Sequence, residues 1–116
     1  MERRVVITGM GTVNPVGNTV EETWAALCAG RSGIGPITQF DPAGLATKIA
    51  GEVKGFDPLR HVEKKELRRL DDFIVYALAC ADMAVQDAGL AIGAGNAERV
   101  GTVVGSGIGG LRTIEK

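Results

Sequence analysis

Several groups of residues in this chain have types and spacings that could do chemistry. Gly105-x-Gly107-x-x-Gly110 follows an apolar run and precedes a helix-like stretch. In that setting glycines let backbone amides approach a pyrophosphate at a helix N-terminus. Cys28 and Cys80 are potential nucleophiles, His61 is the single histidine, and Asp71-Asp72 places two carboxylates side by side. Each group also has a plainer structural reading. The acidic residue that would hold a ribose about 20 residues further on falls beyond Lys116. Gly110 is followed by Leu111-Arg112 and not by Lys-Ser/Thr, which excludes a P-loop. The earlier Gly9-Met10-Gly11 has Asn at position 14 and no helix directly after it. A sharp strand-to-helix turn accounts better for the glycines. Cys80 stands mid-helix between Ala79 and Ala81, and Cys28 shares an apolar face with Trp24 and Leu27, so both read as small core side chains. A reactive thiolate needs a histidine, a cation or a helix N-terminus, and neither cysteine has one in sequence. His61, beside Arg60, reads as solvated, and Asp71-Asp72 as charge at a helix start. These residues assemble no active site by themselves.

The elements that position them follow from composition and periodicity. The chain has 116 residues with 45% hydrophobic, 23% charged and only 4% aromatic content, so its core is built from Ala, Val, Leu and Ile. The 17 glycines are about twice the usual share of ~7%. Small apolar residues with many glycines point to an α/β enzyme core. A net charge of -1 gives no reason to expect nucleic acid. No run approaches the ~18 apolar residues of a membrane span, and no cleavable leader follows the charged start, so a cytoplasmic protein is expected. Two cysteines make neither a disulfide framework nor a metal knuckle.

Residues 3–13 and 100–104 are continuous β-branched runs, the pattern of strands buried on both faces. Thr19 with Glu22 has capping-box spacing, and Val20, Trp24, Leu27 and Cys28 form the apolar face of a helix over 20–29, with Gly30 as its stop. Residues 30–60 are rich in Gly and Pro, with a short strand expected near Thr47–Val53. Arg60 to Arg69 carries five cations against two carboxylates, a local +3. From Asp71 a long helix is expected, with Phe73, Ile74, Ala77, Leu78, Ala81, Ala84, Val85 and Ala88 recurring at three- and four-residue steps and Gly89 as the stop. Its alanines allow close packing on a neighbour. Another helix begins at Leu111.

The ordered set of segments resembles one family. Arg4-Val5-Val6-Ile7-Thr8-Gly9-Met10-Gly11, Pro15-Val16-Gly17-Asn18, Trp24, Ala29-Gly30-Arg31-Ser32-Gly33-Ile34, Phe40-Asp41, Asp71-x-Phe73, Asp87-Ala88-Gly89-Leu90 and Gly105-Ser106-Gly107-Ile108-Gly109-Gly110-Leu111 are similar to the opening of the β-ketoacyl-acyl-carrier-protein synthases. Elongating synthase II of bacterial fatty acid synthesis is the nearest likeness, and ketosynthase subunits of aromatic polyketide pathways are the alternative. A third possibility, outside the family, is a non-catalytic module that binds an acidic partner through residues 60–69.

The resemblance implies a thiolase-like α/β fold in αβαβα layers, with residues 1–116 forming only the first part of the N-terminal half. It implies decarboxylative condensation of an acyl thioester with malonyl-acyl-carrier protein, in a homodimer using no metal or cofactor. The family's nucleophilic Cys and two His motifs belong after Lys116, so no catalytic residue carries over. The chain alone is expected to be inactive and not to fold stably. Two features do carry over. Gly107, Ile108 and Gly109 match the loop lining the acyl tunnel, with Ile108 facing the fatty tail. Lys65, Arg68 and Arg69 match the basic stretch that docks the acidic acyl carrier protein, a role the local +3 supports independently.

Overall fold

The computed structural model describes residues 3–115, except for the side chain of Arg112. Two compact units are present, one of Thr12–Asp57 and one joining the segment up to Gly11 with the chain from Pro58 onward.

In the Thr12–Asp57 unit, helix α1 spans Val20–Cys28. Thr19 caps it by accepting from the Glu22 N–H at 3.1 Å, and the Glu22 carboxylate accepts from the Asn18 N–H at 2.8 Å, one residue earlier than a standard capping box. Its C-terminus closes as a Schellman motif. Gly30, at φ 64, donates to Leu27 O at 3.0 Å, and Arg31 donates to Ala26 O at 2.9 Å. The chain enters through a turn in which Asn14 and Gly17 exchange two backbone hydrogen bonds. The Asn14 side chain accepts from Val16 N–H and donates to Thr23 Oγ1 at 2.8 Å, fastening the turn to α1.

The expected apolar face of α1 needs correction. Trp24, Leu27 and Cys28 are exposed, Trp24 to 68%, and only Ala26 is buried. The inward stripe runs through Val20, Thr23 and Ala26 at three-residue spacing, so the small residues pack and the large ones face solvent.

Strand β1 (Ile34–Pro36) pairs antiparallel with β2 (Ile49–Gly51), Gly35 opposite Ala50. The second strand falls where expected; its partner carries too little periodicity to be read in advance. Glu52, directly after β2, accepts from Thr38 Oγ1 at 2.7 Å and from the Thr38 and Gln39 N–H groups. These bonds, led by the Thr38 hydroxyl, hold its pKa below the ordinary carboxylate value.

The second unit is organised by α3, Asp72–Asp87, whose C-terminus is another Schellman motif: Gly89 donates to Gln86 O at 3.0 Å and Leu90 to Val85 O at 3.1 Å. Helix α2 (Lys64–Leu67) precedes it and α4 (Leu111–Ile114) lies at the end of the described chain. Gly9 and Gly11, at alternate positions, lie on the α3 backbone. A Cβ on Gly9 would stand 2.2 Å from Ala84 O, and one on Gly11 would stand 2.1 Å from Cys80 O. Between them the Met10 N–H donates to Asp87 Oδ2 at 2.9 Å. Cys80, Ala84 and Ala88 repeat every four residues, so one face of α3 receives alternate positions of the segment.

Residues 3–13 and 100–104 form no strand among the described residues, contrary to the expectation of two buried strands. Val5 is 94% and Val103 98% exposed. The physical reason is that a parallel-type strand needs neighbours on both edges and cover on both faces, and the described residues supply neither. His61 also departs from its solvated reading. Its side chain is only 16% exposed, with Nδ1 3.5 Å from Asp82 Oδ2. The 3-10 turn at Pro58–Arg60 directs it there, because the His61 N–H donates to Pro58 O. No helix among the described residues is long and apolar enough to cross a membrane.

Replacing Gly11 by Ala places a methyl group against backbone, so a destabilisation of about 1–3 kcal/mol is expected, read as a lowered denaturation midpoint. For Glu52, a lowered folded pKa means its stabilisation is complete above the unfolded value and is lost as pH falls through the folded one. Its NMR titration midpoint is therefore expected below that of an unperturbed glutamate, and Glu52→Gln should flatten the loss of stability in acid.

Candidate functional site

Two surfaces hold the residues singled out from sequence, and both lie in the unit built on α3. The first is the glycine loop 105–110. Its turn is closed by Ser106 Oγ, which accepts from the Gly109 N–H at 3.0 Å. Gly109 adopts φ 75, in the left-handed region that favours glycine. A Cβ there would stand 3.7 Å from the Phe73 ring, and one on Gly110 would overlap the Asp71 carboxylate. The loop is thus seated on the first turn of α3, with Gly109 required by its conformation and Gly110 by contact, whereas a Cβ on Gly105 or Gly107 would meet open space. Beneath it lies an open, mainly apolar cleft of about 270 Å³, walled by Asp71, Asp72, Phe73, Tyr76, Gly109, Gly110 and Leu111. Of the three loop residues expected at the site, Gly109 lines this cleft. Ile108 is 71% exposed beside it, and neither Gly107 nor Ile108 belongs to the wall.

The second surface is the basic segment. Lys65 lies in α2, Arg68 caps it, and Arg69 follows, its N–H donating to Glu66 O at 2.8 Å. All three side chains are exposed. Lys65 Nζ is 2.8 Å from a Glu63 carboxylate oxygen, with both groups more than two-thirds exposed. Such a pair is worth little in water and can exchange for another carboxylate. Arg69 also borders a groove of about 370 Å³ with Val62, Glu66, Leu70 and Leu78. The groove thus has an apolar floor of Val62, Leu70 and Leu78 with one cation, Arg69, and one carboxylate, Glu66, at its edge, while Lys65 and Arg68 lie outside it.

The remaining candidates take structural places. Cys80 lies half-buried in α3 under Gly11, and Cys28 is exposed on α1. Asp71 is the N-cap of α3, as its position before a helix suggested. Among the described residues no three His, Cys, Asp or Glu side chains gather to hold a metal ion. Sequence reasoning missed the cleft walls Phe73, Tyr76 and Leu111 and the hydrogen bond that Thr113 Oγ1 donates to Asp71 Oδ1. By its spacing Phe73 belongs to the apolar stripe of the helix, and nothing in local spacing links positions 71 and 113.

Comparison with known proteins identifies the family. The family described as Beta-ketoacyl synthase, N-terminal domain matches residues 2–116. The chain is 52% identical over 114 residues to 3-oxoacyl-[acyl-carrier-protein] synthase 2 of Vibrio cholerae, covering 98% of this chain and 28% of that protein. It is 44% identical over 114 residues to the synthase of the same name from Synechocystis, covering 98% and 27%. Among solved structures, the ishigamide ketosynthase/chain length factor superposes with a TM-score of 0.71 at 46% identity, over 78% of this chain and 23% of the other. The chain therefore spans little more than a quarter of the length of the curated relatives it matches. On these matches, the chain belongs to the β-ketoacyl synthase family, within its N-terminal domain, and has that family's thiolase-like α/β fold.

Proposed function

We propose that residues 1–116 are the N-terminal part of a 3-oxoacyl-acyl-carrier-protein synthase acting in fatty acid elongation. In this reading the acyl group passes from carrier thioester to an enzyme cysteine, releasing the carrier thiol. Malonyl-carrier then loses CO2, its C2 attacks the acyl carbonyl, and the cysteine thiolate leaves. The cysteine and the histidines that assist lie outside this sequence. The remainder of the synthase would also pair and cover the apolar segments 3–7 and 100–104. This chain supplies two elements, an acyl-facing loop and a carrier-docking surface.

The observation that carries the reading is the loop itself: Ile108, 71% exposed, projects from a glycine turn seated at an apolar cleft of about 270 Å³. An apolar side chain so placed can pack on a fatty tail, where each buried CH2 contributes ~0.8 kcal/mol. Lys65, Arg68 and Arg69 stand free of the protein interior, as a surface that recruits an acidic carrier by charge requires.

The solved ketosynthase/chain length factor supports a second reading, a polyketide ketosynthase subunit. Repeated extension of saturated acyl primers favours the fatty acid role, and refusal of saturated primers favours the polyketide one.

In the full-length synthase, Ile108→Phe is expected to lower kcat/KM on long acyl primers by about 10-fold or more, the scale of an overpacked contact, with short primers little changed. Equal effects on both lengths would reject the acyl-facing role. Reversing the charges of Lys65, Arg68 and Arg69 should raise KM for carrier-bound substrate and flatten its dependence on salt. An unchanged KM would mark the segment as an ordinary solvated face.

A further inference from the structure

An aspartate preceding a helix ordinarily spends its carboxylate on the helix it caps, accepting from an N–H two or three positions on. Asp71 has the backbone of such a residue, φ -74 and ψ 154, yet its side chain makes no capping bond to α3. Its Oδ1 instead accepts from Thr113 Oγ1 at 2.5 Å, across 42 residues of sequence. That distance is in the range of strong hydrogen bonds from a hydroxyl to a charged carboxylate. Its other oxygen stands against Gly110, where an added Cβ would overlap it.

One side chain thus acts on the glycine loop in two ways. It accepts from the helix that follows the loop, and it forms a bed that only glycine can occupy. At the other end, Ser106 Oγ accepts from the Gly109 N–H, and Gly109 rests near the Phe73 ring. Ile108 lies between these two fastenings and is itself 71% exposed, so its position is set by the loop ends more than by packing of its own.

We propose that Asp71, paired with Thr113, is a positioning residue that fixes where Ile108 stands and so which acyl-chain lengths the synthase accepts. The proposal rests on the acyl-facing reading of the loop given above. Asp71 touches no reacting atom in this role. It acts through the loop, and weakening its bond to Thr113 allows the loop to shift.

The test uses the full-length synthase with Asp71→Ala, Thr113→Val, Asp71→Asn and Ile108→Phe. The readouts are the ratio of kcat/KM for long against short acyl primers and amide hydrogen exchange across residues 105–110. Asp71→Ala and Thr113→Val are each expected to change the ratio by about 3- to 10-fold, the scale of one hydrogen bond, and to speed exchange in the loop. Their effects should not add in the double variant, because both remove the same bond. Asp71→Asn keeps an acceptor oxygen and should hold the ratio near that of the parent. Should Asp71→Ala fail to fold, Thr113→Val carries the test, since Thr113 is exposed. A ratio moved by Ile108→Phe and untouched by Asp71→Ala and Thr113→Val overturns the proposal and leaves the acyl-facing reading standing. A ratio unmoved by all of the variants overturns both.

Discussion

The α3 unit depends on one close approach of backbone to backbone. Gly9 and Gly11 lie so near the carbonyls of Ala84 and Cys80 that no side chain fits between. The contact requires glycine on one side and small residues at four-residue spacing on the other. The Met10 N–H, which would otherwise face the helix without a partner, is satisfied by Asp87. Two of the 17 glycines therefore have a specific local cause. Dispersion forces fall off steeply with distance, and bringing two backbones together replaces the packing that large side chains would provide.

With α3 fixed, the functional surfaces follow as attachments to it. The glycine loop sits on its first turn at Asp71 and Phe73, and the segment carrying the basic residues shares a groove with it, lined by Val62, Leu70 and Leu78. The helix is thus a common wall for an apolar cleft and for a groove edged by Arg69 and Glu66. His61 adds a polar contact one turn beyond Leu78, its ring 3.5 Å from Asp82. Asp82 is in turn oriented by Gln86, whose amide donates to its other oxygen at 2.9 Å.

Large apolar side chains are distributed unlike those of a finished core. Ala26, Val75 and Ala79 are the buried hydrophobic residues among those described, whereas Val5, Ile7, Trp24 and Val103 face solvent. Exposed β-branched runs with unpaired edges are the surfaces that other strands cover in a complete sheet. Relatives more than three times as long as this chain have further sequence from which such cover can come.

Local chemistry made much of this structure legible in sequence. Thr19, Glu22, Gly30 and Gly89 marked helix ends because caps and left-handed glycines act on their own few residues. Apolar residues recurring at three- and four-residue steps marked α3, and the ordered motifs marked the family. What sequence left open was every choice made by distant neighbours. It could not say that residues 3–13 and 100–104 would stand unpaired, that Trp24 would be exposed, that His61 would turn inward to Asp82, or that Asp71 would leave its own helix for Thr113. Burial and hydrogen-bond partners belong to pairs of residues far apart in the chain. Only the tertiary structure decides which of them meet, because local spacing fixes the direction of a side chain and not what lies opposite it.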